Sequence, residues 1–394
     1  MYKEFVLVCL ITVMIPLNKA ISGEWSGYIA TEGRIFPNPA LQADQKDANF
    51  SVATQVNYHH AFNENTSISI TPFARLDSVD NDRSHYDMRE LYFDWYTPSV
   101  ELRAGIRKVF WGVTESVHLV DIINQTDLVE SVDGEEKLGQ LMVNLSFPRR
   151  WGILDVFVLP TFRERTFPGN KGRFRPSLTI DTDHPQFESP EKQHHVDYAL
   201  RYVQTLGDWD VGLSYFQGTS RDPVFQLSTS SGTPVLVPYY PLIEQPGLDL
   251  QWVTGAWLWK LESIYRAGKY NDYYSSAFGF EYTMVGIVNS TDLGVISEWI
   301  YDDRGDKATT PFYNDIMLGL RFVLNDAAST DALISIIHNT KSNAQIVTLE
   351  ANRRLGENWK ISLKGSLFTN ISRDNILYDW RNDDYLQLSI ARYF

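Results

Sequence analysis

Alternation of apolar and polar positions with a period of two dominates this chain. In "FSVATQVNYHHAF", Phe50, Val52, Thr54, Val56, Tyr58 and Phe62 share one parity, and Ser51, Ala53, Gln55, Asn57 and His59 share the other. "NDIMLGLRFVL" sets Ile316, Leu318, Leu320, Phe322 and Leu324 against Asp315, Gly319 and Arg321. "NWKISLKGSL" sets Trp359, Ile361, Leu363 and Leu367 against Lys360, Ser362, Lys364 and Ser366. Successive side chains on a strand point to opposite faces, so the pattern reads as strands apolar on one face and polar on the other. No helical period of useful length competes. The alternation predicts strands near 24–36, 47–62, 66–78, 84–96, 99–111, 137–147, 152–162, 195–206, 209–218, 246–254, 257–268, 275–287, 292–303, 313–325, 330–340, 344–354, 358–370 and 384–394. Each has about ten residues or more, the length that a tilted strand needs to cross a bilayer.

Connection lengths test this reading independently. The even-numbered connections are short: "NEN", "TP", "PRRW", "GD", "GA", "NST", "NDAAS" and "GEN". Most odd ones are longer, notably 112–136, 163–194 and 219–245. Short turns on one side and long loops on the other are the asymmetry of outer-membrane barrels. Trp25, Trp95, Trp151, Trp209, Trp257 and Trp359 all fall at strand ends beside the short turns. Indole suits a membrane interface, with an apolar body and one donor that needs a wet partner. The core of a soluble sandwich would not favour one end of every hairpin. The expected fold is all-β, a single antiparallel transmembrane β-barrel of about eighteen strands over residues 23–394.

The first 22 residues change the compartment. After Lys3 comes an apolar run, "FVLVCLITVMIPL", too short to span a membrane as a helix and suited to the core of a secretory signal. Residues 1–22 are therefore expected to be a signal peptide cut near Gly23. The single cysteine, Cys9, lies inside it, so no disulfide or thiolate metal site is expected afterwards. The chain carries a net charge of −14; removing two lysines and one glutamate with the signal makes this −15. Such acidity argues against nucleic acid as a partner. Aromatic residues make up 13% of the chain, an excess that the interface girdles of a barrel absorb.

The chain closes on "YLQLSIARYF". Leu386, Leu388, Ile390 and Phe394 share one parity, and Tyr385 begins the run. This resembles the C-terminal signature of Gram-negative outer-membrane proteins, alternating apolar residues that end in Phe. The resemblance implies recognition by the outer-membrane barrel assembly machinery through Tyr385, Leu386, Leu388, Ile390 and Phe394. One position departs from the signature: Arg392 stands where an apolar or aromatic residue is usual. More widely the chain is similar to porin-type barrels, in particular to a poorly characterised proteobacterial group. The likeness is carried by "LRAGIRKVFWG", "DIINQTDL" and "EWIYDDRGDKATTPFYNDIMLGLRFVLND". It implies an outer-membrane location and a porin-like architecture, and it does not specify a substrate.

A barrel of this size encloses a lumen wide enough for water unless loops fill it. Parity places Glu90, Asp94, Glu101, Arg103, Arg107, Asp197, Arg201, Lys260, Glu262, Glu281, Glu298, Asp315, Arg321, Glu350, Arg354, Lys360 and Lys364 on the inner face. A basic side chain facing hydrocarbon at mid-depth costs about 2–4 kcal/mol, which forces these groups inward. They read as a charge-lined pore, with salt bridges bracing the wall as the plainer alternative. Their signs nearly balance, so weak ion selectivity is expected. Segment 112–136 is too apolar for an outer loop, with Val117, Leu119, Val120, Ile122, Ile123, Leu128 and Val129. Folding inward as a constriction is favoured over a lid on the rim, since irregular backbone at membrane depth survives where it lines a cavity. Glu115, His118, Asp121, Asn124 and Asp127 would then border the narrowest point. Arg103 and Arg107, on the strand leading in, are the expected partners of Glu115, Asp121 or Asp127.

The basic run Arg163, Arg165, Lys171, Arg173 and Arg175 reads first as a solvated loop, and otherwise as a grip on anionic solutes or lipopolysaccharide phosphates. Asp302 to Asp306 and Asp379, Asp383 and Asp384 are acidic loop tips that could meet divalent ions. His59/His60 and His194/His195 lack a Ser or carboxylate constellation, so no enzyme, metal or cofactor is expected. The expected function is a porin-like outer-membrane channel for small polar solutes, passive or weakly selective. The alternative is a dedicated channel for an amphipathic or lipid-like substrate, working with a periplasmic carrier or exporter. Homo-oligomers fit either.

Overall fold

Eighteen strands close into one antiparallel barrel in the computed structural model, which describes residues 23–229, 232–270 and 272–394. The expected signal peptide, residues 1–22, lies outside the described residues. In chain order the strands are β1 (Glu24–Ile35), β2 (Ala48–Asn63), β3 (Thr66–Asp77), β4 (His85–Tyr96), β5 (Glu101–Arg107), β6 (Gln140–Arg149), β7 (Gly152–Leu159), β8 (Gln186–Phe187), β9 (Asp197–Leu206), β10 (Trp209–Thr219) and β11 (Val224–Ser228). There follow β12 (Val235–Tyr240), β13 (Leu242–Thr254), β14 (Trp257–Gly268), β15 (Tyr273–Val288), β16 (Thr291–Asp302), β17 (Asn314–Val323), β18 (Asp331–Asn339), β19 (Gln345–Leu355), β20 (Trp359–Thr369) and β21 (Tyr385–Tyr393). Each barrel strand pairs with its neighbours in sequence, and β1 closes the ring against β21 with Ala30 opposite Ala391. The other three strands, β8, β11 and β12, form a small separate sheet in the long loops. All eighteen strands read from the alternation are wall strands, including 246–254 and 330–340, and the small sheet is the element that the pattern did not reveal.

Parity does what it promised on the wall. Outward Ile316, Leu318 and Leu320 on β17 are exposed, whereas inward Asp315 and Met317 are buried. The six tryptophans named above are all exposed at the short-turn end. Two-residue turns there start on Gly207 and Gly255, with φ of +63° and +60°, a left-handed conformation that glycine adopts without strain. Phe394 exchanges both backbone hydrogen bonds with Gly27 at 3.1 Å. Leu386, Leu388, Ile390 and Phe394 lie on the outer face, while Tyr385 points inward against Phe36 and Phe174. Arg392 is also outward, and its guanidinium lies 5.8 Å from the ring of Trp359, within the aromatic girdle.

One bulge shifts the parity. Thr71 pairs with Glu90 but Pro72 pairs with Met88, leaving Arg89 as the extra residue on β4. Proline cannot donate to the ladder and is tolerated in a sheet at such a place. Above the bulge the inward residues of β4 are Asp87 and Arg89, both buried.

Candidate functional site: the lumen and its infolded loop

The connection from β5 to β6, residues 108–139, turns into the lumen rather than rising from the rim. Two carboxylates on the far wall hold its first limb. Glu262 on β14 accepts hydrogen bonds from the N–H groups of Val113 (2.6 Å), Thr114 (3.0 Å) and Val120 (3.1 Å) and from the Thr114 hydroxyl (2.9 Å). Glu298 on β16 accepts from the N–H groups of Glu115 and Ser116, both at 2.8 Å, and from the Ser116 hydroxyl at 2.6 Å. Irregular backbone survives at membrane depth where protein or water meets its polar groups, and for this limb the wall supplies the acceptors.

The apolar residues of the loop have a use too. Trp111, Val120, Ile122 and Ile123 pack on inward Met142, Phe157, Phe216 and Ile264, and Val117 packs near Ile300, Met317 and Ile337. The barrel thus contains a hydrophobic core on one side of its lumen. Asn124 clasps the two feet of the loop, accepting from the Val109 N–H at 2.8 Å and donating to the carbonyls of Arg107 and Leu138, each at 2.8 Å.

The return limb is fastened by charge. Arg89 donates to Asp127 at 2.8 Å, and Arg75 binds both oxygens of Glu130 at 2.8 Å. Arg83 joins Glu32 (2.7 Å), Asp77 (2.9 Å) and the Val129 carbonyl (2.8 Å). Burial alone would raise the pKa of Glu130, but the Arg75 guanidinium holds it below the usual carboxylate range.

Several expected pore residues lie elsewhere than in open water. Arg201, Lys260, Glu262, Asp121, Asn124 and Asp127 face the lumen or belong to the loop, yet all are buried. The loop covers them, so they anchor it rather than line a free passage. Glu90, Asp94, Glu101, Arg103, Arg107, Glu115, His118, Arg321 and Glu350 remain partly accessible, and Arg354 is exposed by the short turns. The expected pairing of Arg103 and Arg107 with loop carboxylates does not form. Arg103 instead binds Asp94 (3.0 Å) and Glu101 (2.8 Å), and Arg107 donates to Asn144 at 3.1 Å. The loop crosses the lumen before it presents its acids, so Glu115 meets Arg321 at 2.6 Å and Lys260 at 3.7 Å, and Asp121 pairs with Lys137 at 3.2 Å. Replacing Arg103 and Arg107 with alanine is therefore expected to leave the loop in place. Single-channel conductance should rise only by what the vacated side-chain volume allows.

The basic run is not simply solvated. Arg163 pairs with Asp87, Arg165 with Asp222 and Arg173 with Asp383 and Asp47, tying the long loops to the rim. Asp302 is likewise engaged by Arg304. Above β20, β21 and β1, Phe174 packs with Phe36 and Phe368 and beside Trp380, narrowing that side of the entrance.

His118 gives the loop a pH signature. Its burial opposes protonation, but the Glu135 carboxylate at 2.9 Å and Glu262 at 3.9 Å outweigh this and raise its pKa to about 10. A pKa raised in the folded state contributes stability that is complete below the unfolded value, about 6.5. That contribution is lost as pH rises through about 10. The closed loop should loosen at the alkaline end, and His118→Gln should remove that component of a conductance–pH profile. An identical profile in the variant would show that His118 does not tether the loop.

No protein-family model matches the chain, and no curated protein sequence does. Solved structures do. OccD3 (OpdP) of Pseudomonas aeruginosa is similar with a TM-score of 0.56 and 8% identity, over 95% of this chain and 91% of that one. A BenF-like porin from Pseudomonas fluorescens Pf-5 is similar with a TM-score of 0.55 and 10% identity, over 95% of this chain and 98% of that one. The chain has the fold of outer-membrane porins. At such identity the likeness shows the fold alone.

Proposed function

We propose that this protein is an outer-membrane channel that passes small polar solutes along the part of the lumen its loop leaves open. The observation that carries this reading is the contrast between the two sides of the wall. On β14 to β17 the inward Glu262, Ile296, Glu298 and Met317 are all sealed under the loop. On β19 and β20, inward Thr348, Glu350, Ser362, Lys364 and Ser366 stay only half-buried. Hydroxyls and charges at half exposure on an inner wall suit a wet path. The fold and the outward C-terminal leucines support placement in the outer membrane, with the short turns toward the periplasm.

Purified protein inserted into planar bilayers tests the reading. Stable unitary conductance, with a solute cut-off in liposome swelling, is the expected result. A barrel that inserts without conducting would end it, and co-purified lipid in such a barrel would favour the amphipathic-substrate alternative.

A further inference from the structure

Three cations beside the open passage stand among carboxylates, while inward Arg354 and Lys360, opposite one another by the short turns, form no ion pair among the described residues. Arg321 stands between two carboxylates, Glu115 at 2.6 Å and Glu281 at 3.2 Å. Lys364 stands between Asp133 at 3.3 Å and Glu350 at 3.2 Å. Toward the short turns, Arg103 stands between Asp94 at 3.0 Å and Glu101 at 2.8 Å. A wall braced by simple ion pairs would match charges one to one. The Lys364 and Arg103 clusters each hold one cation against two anions and are left net negative, whereas the Arg321 cluster is shared by Lys260, which meets Glu115 at 3.7 Å.

The buried surroundings do not restore the balance. Lys260 balances the first cluster through Glu115, but Glu298 lies on the same row across the sheet as Lys260, through Gly279, and adds a third carboxylate to the two cations there. Glu298 is satisfied by loop amides and the Ser116 hydroxyl, and no cation pairs with it among the described residues. Next to Asp133, Glu135 and Glu136 are exposed on the loop. Protonated His118 supplies one positive charge against two carboxylates, Glu135 at 2.9 Å and Glu262 at 3.9 Å. Low-dielectric walls focus such a field onto the water between them.

We propose that the open passage selects cations, favouring small organic ammonium solutes and inorganic cations over anions of the same size. This rests on the channel reading and names its solute class. An ammonium group passing Asp133 and Glu350 meets two carboxylates that share a single lysine, and it can add donors where an anion can only add repulsion. Because the carboxylates are half-exposed, the preference is screened by salt: the Debye length is about 10 Å at 0.1 M and about 3 Å at 1 M.

The test is the reversal potential of the full barrel in planar bilayers under a potassium chloride gradient. At a mean concentration of about 0.1 M, potassium is expected to permeate several times better than chloride, with the ratio falling toward one near 1 M. Swelling of protein-loaded liposomes should likewise be faster in an ammonium chloride than in a sodium carboxylate of equal size. Asp133→Asn with Glu350→Gln should conduct and shift the reversal potential toward chloride. A wild-type potential at zero or on the chloride side overturns the inference and leaves the channel reading standing. Cation preference that the double variant leaves intact overturns the assignment to the Asp133–Lys364–Glu350 cluster. Insertion without any conductance overturns both readings.

Discussion

Replacing both Glu262 and Glu298 with alanine is expected to raise single-channel conductance severalfold and to enlarge the solute cut-off. The two carboxylates accept hydrogen bonds from five loop N–H groups and from two hydroxyls. Alanine leaves those donors inside the barrel without acceptors. Each buried donor left unsatisfied costs about 1–3 kcal/mol, so several at once exceed what a single loop contact can absorb. The apolar contacts of Val120, Ile122 and Ile123 resist release. They are not directional, however, and cannot replace lost acceptors. The expected outcome is a loop that spends much of its time away from β14 to β17, with water taking its place. Noise in the open-channel current should increase for the same reason. Unchanged mean conductance and unchanged noise in a correctly folded double variant would show that packing alone holds the loop. Restoring glutamate at 262 alone should recover part of the wild-type behaviour, because that residue holds Val113, Thr114 and Val120 together.

Why the wall was legible in the sequence, and the site only in part, follows from one physical difference. A barrel strand is constrained on both faces, by lipid outside and by polar lumen inside, so every second residue carries information. Glu262 and Glu298 were therefore assigned to the inner face by parity alone. What parity cannot supply is the distance across the lumen. Arg103 and Arg107 adjoin the loop in sequence, and this suggested that they would pair with it. A loop crossing the lumen meets the opposite wall first, where Arg321 waits for Glu115. Arg89 escapes the pattern for a different reason. The bulge opposite Pro72 moves it to the inner face, and a proline inside an alternating strand was the available signal. Arg75 and Glu130 do not stand out as a pair, although Phe73, Arg75 and Asp77 alternate with Ala74 and Leu76. Their significance depends on a partner 55 residues away, which no local pattern specifies. The apolar character of 112–136 was the best clue to the site, because a segment with Ile122 and Ile123 has to find an apolar surface.

Arg75→Ala is expected to be the most destabilising single change in the return limb, at about 3–5 kcal/mol, the range for removing one member of a buried ion pair. Arg75 offers both oxygens of Glu130 a guanidinium hydrogen bond at 2.8 Å, and it also donates to the Ser51 hydroxyl at 2.6 Å and to Glu32 at 3.3 Å. Without it, Glu130 is a carboxylate enclosed by protein that no guanidinium hydrogen-bonds, with Arg83 and Arg89 acting on it only through space. Replacing both residues by apolar ones of similar size, Arg75→Met with Glu130→Leu, removes the orphaned charge and is expected to recover most of the loss. The pH dependence separates a charge effect from lost packing. A carboxylate whose folded pKa is lowered contributes stability above its unfolded value, and the contribution is lost as pH falls through the folded one. The gap between wild type and Arg75→Ala should therefore be full near neutrality and close in acid. Urea titrations of the detergent-folded barrel at several pH values provide the measurement, with the midpoint converted through the common slope. A gap that persists unchanged in acid, or a double variant as unstable as both single losses added together, would mean that Arg75 supports the limb by its bulk and not by its charge.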